Sequence, residues 1–361
     1  MKILHIITSL AIGGAEKLMV DLLPRLQQRG CSVDLFVLDG HETPFMQELR
    51  KANINVIISA IGESVYNPRH ILRLRRIIGS YDIVHSHNYS PQLFAAIASI
   101  EKKVILCTTE HSSSNRRRSL FWFRPIDKWM YQRYHKIICI SDQTEENLRK
   151  HLRTNIPTIQ TINNGVDIQK YAQAYPSDEI QSKFLGKKVI SMVAGFRAAK
   201  DHKTLIESMR YLPIDYHLLL VGTGITQEDC KDYVKQLKLG ERVHFLGARI
   251  DIPNILKAST VKVISSHWEG FGLVSVEAMA AEIPVIASDV PGLSTIVGNA
   301  GVLFPKGDAK SLAHEIQRAC EDIRWRESLI LRGKERAKQF DIETMTNNYY
   351  QLYLSFSKIN K

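Results

Sequence analysis

Two glutamates, Glu269 and Glu277, flank a short glycine-containing turn in the second half of the chain. Carboxylates accept paired hydrogen bonds from neighbouring hydroxyl groups, and both a sugar and a ribose offer such pairs. Each acid also has a simpler interpretation, because Glu277 could satisfy a helix dipole and Glu269 could be a solvated loop charge. The presence of both acids around one turn favours a site for a ligand that carries hydroxyl groups.

The turn between the two acids has the composition of an anion-binding loop. Gly270 and Gly272 permit a tight turn and a close approach of the backbone to a ligand. The turn follows the apolar run 261–264 and precedes a helical pattern, so free N–H groups and the helix dipole favour an anion there. We therefore predict that a diphosphate binds the backbone of four consecutive residues, which are Gly270, Phe271, Gly272 and Leu273.

A second charged segment, 195–202, follows the apolar run 189–194. Arg197 and Lys200 in this segment are suited to stabilise the negative charge of a departing diphosphate. Arg197 is equally compatible with an exposed loop charge, whereas Lys200 has the stronger case. The chain contains no Asp-x-Asp pair that would chelate a metal ion, so we expect metal-independent chemistry without a cofactor.

Histidines near the ends of apolar runs form a third group of candidates. His111 follows the run 104–108 and therefore stands at the end of a predicted strand. His85 and His87 are more typical of hydrogen-bonded structural residues than of catalytic ones. The two also suggest metal binding, but no third ligand stands at the spacing seen in zinc enzymes.

Two weaker signals lie at other junctions between an apolar run and a helical pattern. Gly13 and Gly14 follow the first apolar run and would form either a flexible anion loop or a simple turn. Arg249 follows the run 243–246, where its guanidinium could reach a nucleotide base.

Short apolar runs alternate with longer amphipathic segments along nearly the whole chain, which predicts βα units and parallel sheets. The predicted strands of the first half are 3–8, 32–38, 55–58, 83–85, 104–108, 136–140 and 158–162. Those of the second half are 189–194, 216–221, 243–246, 261–264, 285–287 and 302–304. In doubly wound sheets a ligand binds beyond the carboxyl ends of the strands, which is where the candidate residues lie.

These elements predict an α/β protein with two doubly wound, Rossmann-like domains. The turn 163–167 separates the two alternations, so we place the domains at residues 1–167 and 168–340. The remaining segment, 341–361, is predicted to be a helix that packs back onto the first domain.

The motifs together resemble the retaining glycosyltransferases of family 4, also called group 1, which have the GT-B fold. The resemblance covers nearly the whole chain and rests on Gly13-Gly14-Ala15-Glu16, Asn164-Gly165-Val166-Asp167, Val221-Gly222-x-Gly224, Glu269-x7-Glu277 and Pro284-Val285-Ile286-Ala287-Ser288 with Pro291-Gly292. It implies two domains that face a central cleft and a hexosyltransferase-type activity (EC 2.4). A nucleotide-diphosphate sugar, with a UDP-sugar favoured, would give its sugar to a saccharide or to a polyprenyl- or other lipid-linked acceptor, with retention of configuration.

The resemblance also implies roles for individual residues. Glu269 is expected to contact the donor sugar, Glu277 the nucleotide ribose, and His111 the region of the reacting sugar carbon. Lys200 matches a lysine of the family, but Gly195 stands where the family usually has an arginine. We infer that Arg197 replaces this missing guanidinium. Glu282 stands where glycine is common, and a left-handed conformation there would cost about 1 kcal/mol.

The charge of the chain indicates an anionic partner. The net charge is +11, and residues 1–165 hold 22 Lys and Arg against 14 Asp and Glu, a net of +8. A membrane surface, a phosphorylated acceptor or a nucleic acid would fit, but no nucleic-acid-binding module accompanies the charge. Segment 115–131 mixes cations with aromatic residues, so it would either contact anionic lipid or anchor Phe121, Trp122 and Trp129 in the core.

Composition also bears on the location of the protein. Five dispersed cysteines without a Cys-x-x-Cys pair indicate reduced thiols and a cytoplasmic location. No apolar run approaches the roughly 18 residues of a spanning helix, so we expect at most peripheral contact with the inner face of a membrane. Two alternative functions stay open at this point, a nucleotide-sugar epimerase on a similar fold and a non-catalytic nucleic-acid binder.

Overall fold

The structure, a computed structural model, describes residues 1–112, 122–153 and 158–357. It divides into two compact units. The first comprises Met1–Gly165 together with the C-terminal segment that starts at Ile342, and the second comprises Val166–Asp341. The chain enters the second unit two residues before the predicted domain boundary at 167, and its last helix belongs to the first unit.

The first unit is built on a parallel sheet of seven strands. The strands are β1 (Lys2–Ile7), β2 (Ser32–Asp39), β3 (Asn55–Ala60), β4 (Ile83–His87), β5 (Ile105–Glu110), β6 (Lys136–Cys139) and β7 (Ile159–Thr161). Their order in the sheet is β3-β2-β1-β4-β5-β6-β7. The helices are α1 (Gly14–Gln28), α2 (Pro44–Lys51), α3 (Arg69–Ile77), α4 (Tyr89–Ala98), α5 (Phe123–Gln132), α6 (Asp142–Leu152) and the C-terminal helix (Ile342–Ser357).

The second unit is built on a parallel sheet of six strands. The strands are β8 (Lys188–Val193), β9 (Tyr216–Val221), β10 (Val243–Gly247), β11 (Val261–Ile264), β12 (Val285–Ser288) and β13 (Val302–Phe304), in the order β10-β9-β8-β11-β12-β13. The helices are α7 (Ile168–Ala172), α8 (Asp178–Lys183), α9 (His202–Ser208), α10 (Gln227–Gln236), α11 (Ile252–Lys257), α12 (Leu273–Ala280), α13 (Leu293–Val297), α14 (Ala309–Glu321) and α15 (Ile323–Lys338).

Both sheets confirm the predicted doubly wound α/β architecture. Their central strands are buried along almost their whole length, because helices cover both faces of each sheet. The strand order reverses between β1 and β4 in the first unit and between β8 and β11 in the second. A ligand crevice is expected at each reversal, where the loops after the two strands turn away from each other.

One departure from the family pattern has a local structural consequence. Glu282, which follows α12, adopts the left-handed conformation with φ of +62°. Its carboxylate accepts a hydrogen bond of 2.7 Å from Lys334 Nζ on α15. A partly exposed pair of this kind offsets at most part of the cost of about 1 kcal/mol that a left-handed non-glycine residue carries.

The helices of the described residues differ from membrane-spanning helices. Within residues 1–112, 122–153 and 158–357, none combines the length and the apolar character that crossing a membrane requires.

Candidate functional site

The loops after β8 and β11 form one continuous surface at the strand reversal of the second unit. Backbone hydrogen bonds join them, from Asp201 N to Ser265 O at 3.0 Å and from His267 N to Ala199 O at 2.8 Å. Asp201 also caps α9, since its carboxylate accepts a hydrogen bond from Thr204 N. The two charged segments predicted from the sequence are therefore held side by side.

An ion pair forms where these loops meet. Lys200 Nζ donates a hydrogen bond to Glu269 Oε1, although the two residues are 69 positions apart in the sequence. The Lys200 side chain is 19% exposed and the Glu269 side chain 15%, so the pair is largely shielded but open on one side. A diphosphate sugar bound here would meet a cation and a hydrogen-bond acceptor at the same place.

The turn after Glu269 is shaped by two glycines in the left-handed region. Gly272 has a φ of +82° and caps α12, and a Cβ at this position would lie 2.5 Å from Leu293 Cδ2. Gly292 has a φ of +91°, and a Cβ there would lie 2.5 Å from the carbonyl oxygen of Glu269. Both glycines are required for the loop before α13 to pack against the turn.

The turn leaves its backbone amides at the start of a buried helix. The helix α12 begins at Leu273, so the first N–H groups have no partner within the helix. The Phe271 side chain is buried and packs edge-on against Phe340, with ring centroids 5.4 Å apart. The side chain of Phe271 thus anchors the turn, and only its amide is available for the predicted diphosphate contact.

Glu277 on α12 has a neighbour that the sequence reasoning missed. Lys262 on β11 is fully buried, and its Nζ has no hydrogen-bond partner among the described residues. Burial lowers the pKa of Lys262 to about 7; the charge of Lys200 adds to this shift, whereas the charge of Glu277 opposes it. A lysine inside the apolar run 261–264 was the sequence signal that could have revealed it.

Arg197 lies next to Gly195, the position where the family has its arginine. Arg197 Nε is 3.5 Å from the place that a Cβ on Gly195 would take, so the side chain folds back over the glycine. Phe196 between them is buried and stacks on His202, with ring centroids 4.0 Å apart. This stack fixes the loop while Arg197 stays exposed.

Arg249 has a different environment. Its guanidinium donates hydrogen bonds of 2.8 and 2.7 Å to the two carboxylate oxygens of Asp251 and further bonds of 3.1 Å to Glu179. These acids hold the side chain near α8 and α11. The assignment of Arg249 to a nucleotide base stays a prediction, and the two ion pairs would have to rearrange to allow it.

His111 in the first unit directly follows β5 and is half-buried. Its Nε2 lies 3.0 Å from His87 Nδ1, and His87 Nε2 lies 3.0 Å from Nδ1 of His5 on β1. Burial lowers the pKa of His111 to about 4, so its imidazole is neutral at pH 7. Sequence reasoning missed His5, which lies opposite His85 in the pairing of β1 with β4.

His85 is a hydrogen-bonded residue of the core. Its Nδ1 lies 2.5 Å from the hydroxyl of Tyr353, and its Nε2 lies 2.8 Å from Thr109 Oγ1. Burial lowers its pKa well below the usual histidine value, which keeps the ring neutral. Both nitrogens therefore have partners, in line with the structural interpretation of this residue.

Gly13 and Gly14 form the junction between β1 and α1. Gly13 is the N-cap of α1 and has an extended backbone. A Cβ at Gly13 would collide with the carboxylate of Glu16, which lies over the glycine. A larger residue at Gly13 would require only that the Glu16 side chain move, and an anionic ligand at this loop would likewise have to displace Glu16.

The basic aromatic segment 115–131 falls only partly within the described residues. Residues 115–121, and Phe121 with them, lie outside the described residues. In the described part, Trp122 is 56% exposed, Ile126 45% and Trp129 41%. Trp122 and Trp129 are thus not core anchors, and the three residues are spaced so that they share one helix face.

Comparisons with known proteins identify the family. The family model described as "Glycosyltransferase Family 4" matches residues 12–170. The family model described as "Glycosyl transferases group 1" matches residues 176–336. The chain is 27% identical over 346 residues to an Escherichia coli UDP-Gal:alpha-D-GlcNAc-diphosphoundecaprenol alpha-1,3-galactosyltransferase, covering 89% of this chain and 88% of that protein. It is 25% identical to a Campylobacter jejuni N,N'-diacetylbacillosaminyl-diphospho-undecaprenol alpha-1,3-N-acetylgalactosaminyltransferase, covering 86% and 88%.

The fold has close structural counterparts. Anabaena Alr3699/HepE in complex with UDP-glucose superposes with a TM-score of 0.87 at 22% identity, over 98% of this chain and 99% of that one. The two doubly wound sheets and this similarity show the GT-B fold. The chain belongs to the group 1, family 4 glycosyltransferases and acts as a hexosyltransferase-type enzyme (EC 2.4) in glycan synthesis.

Proposed function

We propose that this enzyme transfers a sugar from a UDP-sugar to a saccharide or lipid-linked acceptor, with retention of configuration, in cell-surface polysaccharide or glycolipid synthesis. The observation that carries the proposal is the contact between Lys200 and Glu269 beside the glycine turn that opens α12. The relatives named for UDP-galactose and for undecaprenyl diphosphate-linked acceptors support the two substrate classes.

The proposed reaction breaks the bond between the sugar C1 and the β-phosphate oxygen. The acceptor hydroxyl oxygen bonds to C1, and its proton passes to the departing diphosphate, so that UDP leaves. Retention places the new bond on the face from which the diphosphate departs. Lys200 and Arg197, with the amides of the turn Gly270–Leu273, would stabilise the charge that develops on the leaving group.

The acids and the histidine would hold the substrate. Glu269 would accept hydrogen bonds from the sugar hydroxyls and Glu277 from the ribose hydroxyls. His111 would orient the reacting face of the sugar. No step uses a metal ion, because two side-chain cations and a helix N-terminus serve the diphosphate.

The acceptor side of the proposal concerns the first unit. Trp122, Ile126 and Trp129 form an exposed apolar face on or beside α5, and Lys128 lies exposed among them. Such a face suits the headgroup region of an anionic membrane, where a lipid-linked acceptor resides. We therefore place the enzyme in the cytoplasm with peripheral contact to the inner face of the membrane, and without a nucleic-acid partner.

A screen of UDP-, GDP- and ADP-sugars by thermal shift tests the donor. We expect a UDP-sugar to raise the unfolding temperature most and to be consumed only when a saccharide or polyprenyl diphosphate-linked acceptor is added. Stabilisation by GDP- or ADP-sugars alone would overturn the choice of nucleotide. Conversion of the UDP-sugar to an isomer without any acceptor would instead identify an epimerase.

A further inference from the structure

A row of three hydrogen-bonded histidines connects the core of the first unit to His111. The two contacts, from His111 to His87 and from His87 to His5, are each 3.0 Å between ring nitrogens. His5 and His87 are fully buried, and His5 Nε2 has no hydrogen-bond partner within the described residues. The row thus has a closed end at His5 and an open end at His111.

The three rings are neutral near pH 7. Burial lowers the pKa of His5 to about 3, that of His111 to about 4 and that of His87 well below its usual value. A neutral imidazole has one N–H group and one unprotonated nitrogen. Each contact joins two nitrogens, so it is a hydrogen bond only when one of them carries the proton. The protons must therefore all point the same way along the row.

The closed end decides which way they point. With the protons directed inward, His5 Nε2 would be a buried N–H without an acceptor, and such orphaned donors are rarer than unused acceptors. With the protons directed outward, His5 Nδ1 donates to His87 Nε2, and His87 Nδ1 donates to His111 Nε2. His111 then carries its own proton on Nδ1.

We propose that His87, which His5 contacts from the closed end of the row, is a positioning residue that holds His111 in the tautomer protonated on Nδ1, so that His111 offers an N–H donor to a hydroxyl oxygen of the sugar. The contact with the sugar rests on the proposed function, whereas the tautomer does not. His111 Nδ1 makes no hydrogen bond in the described part of the chain, so this donor is available to a ligand. In a histidine, the partner of one nitrogen determines whether the other is protonated.

A metal site is the alternative interpretation of the histidines around His5. His5, His85 and His87 offer ligand nitrogens that all lie within 4.8 Å of one another. The hydrogen bonds favour the row, because both nitrogens of His85 are engaged by Tyr353 and Thr109 and both nitrogens of His87 by other histidines. A metal ion would have to break several of these bonds.

The test reads the tautomer directly, by nitrogen-15 NMR of the full chain labelled at histidine, at pH 7 and without donor. The signals of His111 are assigned by their loss in His111→Gln. We expect Nδ1 to be protonated and Nε2 to be unprotonated. In His87→Leu the Nε2 of His111 loses its hydrogen-bond donor, so His111 becomes a mixture of tautomers. In His87→Asn the amide nitrogen replaces Nδ1 as the donor, and the wild-type pattern returns.

His85→Leu is the matched control, because His85 stacks on both His5 and His87 but is not part of the row. It should destabilise the first unit about as much as His87→Leu while leaving the His111 signals unchanged. The kcat/KM for the donor should fall about tenfold in His87→Leu, as the loss of one well-placed hydrogen bond predicts, and recover in His87→Asn.

Three results would overturn the proposal: a proton on Nε2 of His111 in the wild-type protein, an unchanged His111 pattern in His87→Leu, or a stoichiometric metal whose removal shifts the signals of His5. Failure of the proposed function has a different signature. In that case no UDP-sugar is turned over, but the NMR pattern and its response to His87→Leu are still observed.

Discussion

The ammonium group of Lys200 and the carboxylate of Glu269 are in direct contact at the strand reversal of the second unit. The sequence predicted that Lys200 stabilises the leaving group and that Glu269 contacts the donor sugar. Their contact means that one cannot be removed without leaving the other as a poorly solvated charge. Tests of the site must therefore separate the loss of a role in turnover from the loss of a partner.

Lys200→Ala should abolish most of the activity. The variant removes a cation that stabilises developing charge on the diphosphate, so we expect kcat to fall about 100-fold or more and UDP binding to weaken. The measurements are steady-state kinetics and calorimetric titration with UDP. Lys203→Ala, three residues further on and exposed on α9, is the control and should keep wild-type kinetics. Unchanged kinetics in Lys200→Ala would remove this residue from the site.

The role of the Arg197 guanidinium can be tested by moving an arginine from position 197 to position 195. Arg197→Ala should lower kcat about tenfold to 100-fold, because an exposed cation contributes less than a buried one. The double variant Gly195→Arg/Arg197→Ala should regain a large part of this loss. A Cβ at Gly195 has room, with its nearest other neighbour, the carbonyl oxygen of Thr223, at 3.6 Å. If the double variant is no better than the single one, Arg197 does not substitute for the family's arginine.

Chelation tests the expected absence of a metal requirement. Turnover in excess EDTA should equal turnover without it, since Lys200, Arg197 and the amides of the turn would serve the leaving group. The assay is UDP release with and without chelator, after removal of trace metal from the buffers. Loss of activity that Mn²⁺ or Mg²⁺ restores would show that these groups do not suffice.

The architecture was predictable from the sequence because strands in parallel sheets are buried on both faces. Each of the thirteen strands in the described residues overlaps a predicted apolar run. Three strands begin and end at the predicted residues: Tyr216–Val221, Val261–Ile264 and Val302–Phe304. Short helices were missed. The helix α13, for example, has five residues, too few to show helical periodicity, and packing determines its conformation.

The candidate residues of the site were selected from the sequence by their positions just after strands. That rule selected Lys200, Glu269 and His111, because βα loops carry the ligand contacts of such folds, and it anticipated the contact between the first two. It could not find His5 or Lys262, which lie within strands. Their contacts depend on the order of the strands and on the packing of helices over the sheet. Neither of these can be derived from a single sequence.

The exposed apolar face at α5 predicts binding to anionic membranes. In a flotation assay the wild-type chain should rise with vesicles that contain anionic lipid and remain behind with neutral ones. Trp122→Ser/Ile126→Ser/Trp129→Ser should lose most of this binding. Tyr175→Ser, which removes a side chain of the second unit that is 82% exposed, should not. Absence of binding to either kind of vesicle in the wild type would exclude the membrane contact.

The buried ammonium of Lys262 predicts an unusual dependence of stability on pH. Its pKa is about 7 in the folded state and about 10.5 in an unfolded chain, so between these values the unfolded state binds more protons. The free energy of unfolding therefore rises with pH through this window, as the cost of keeping the lysine charged or of removing its proton declines.

Replacement by an apolar residue removes that cost. Lys262→Met should increase the free energy of unfolding by about 3–5 kcal/mol at pH 7, and the gain should shrink by about 1.4 kcal/mol per pH unit up to pH 10. Denaturant unfolding at pH 7, 8.5 and 10 measures it. Lys235→Met is the control, because its side chain is 78% exposed and the change should show no such trend. A gain that does not vary with pH, or no gain at pH 7, would mean that Lys262 has a compensating partner in solution.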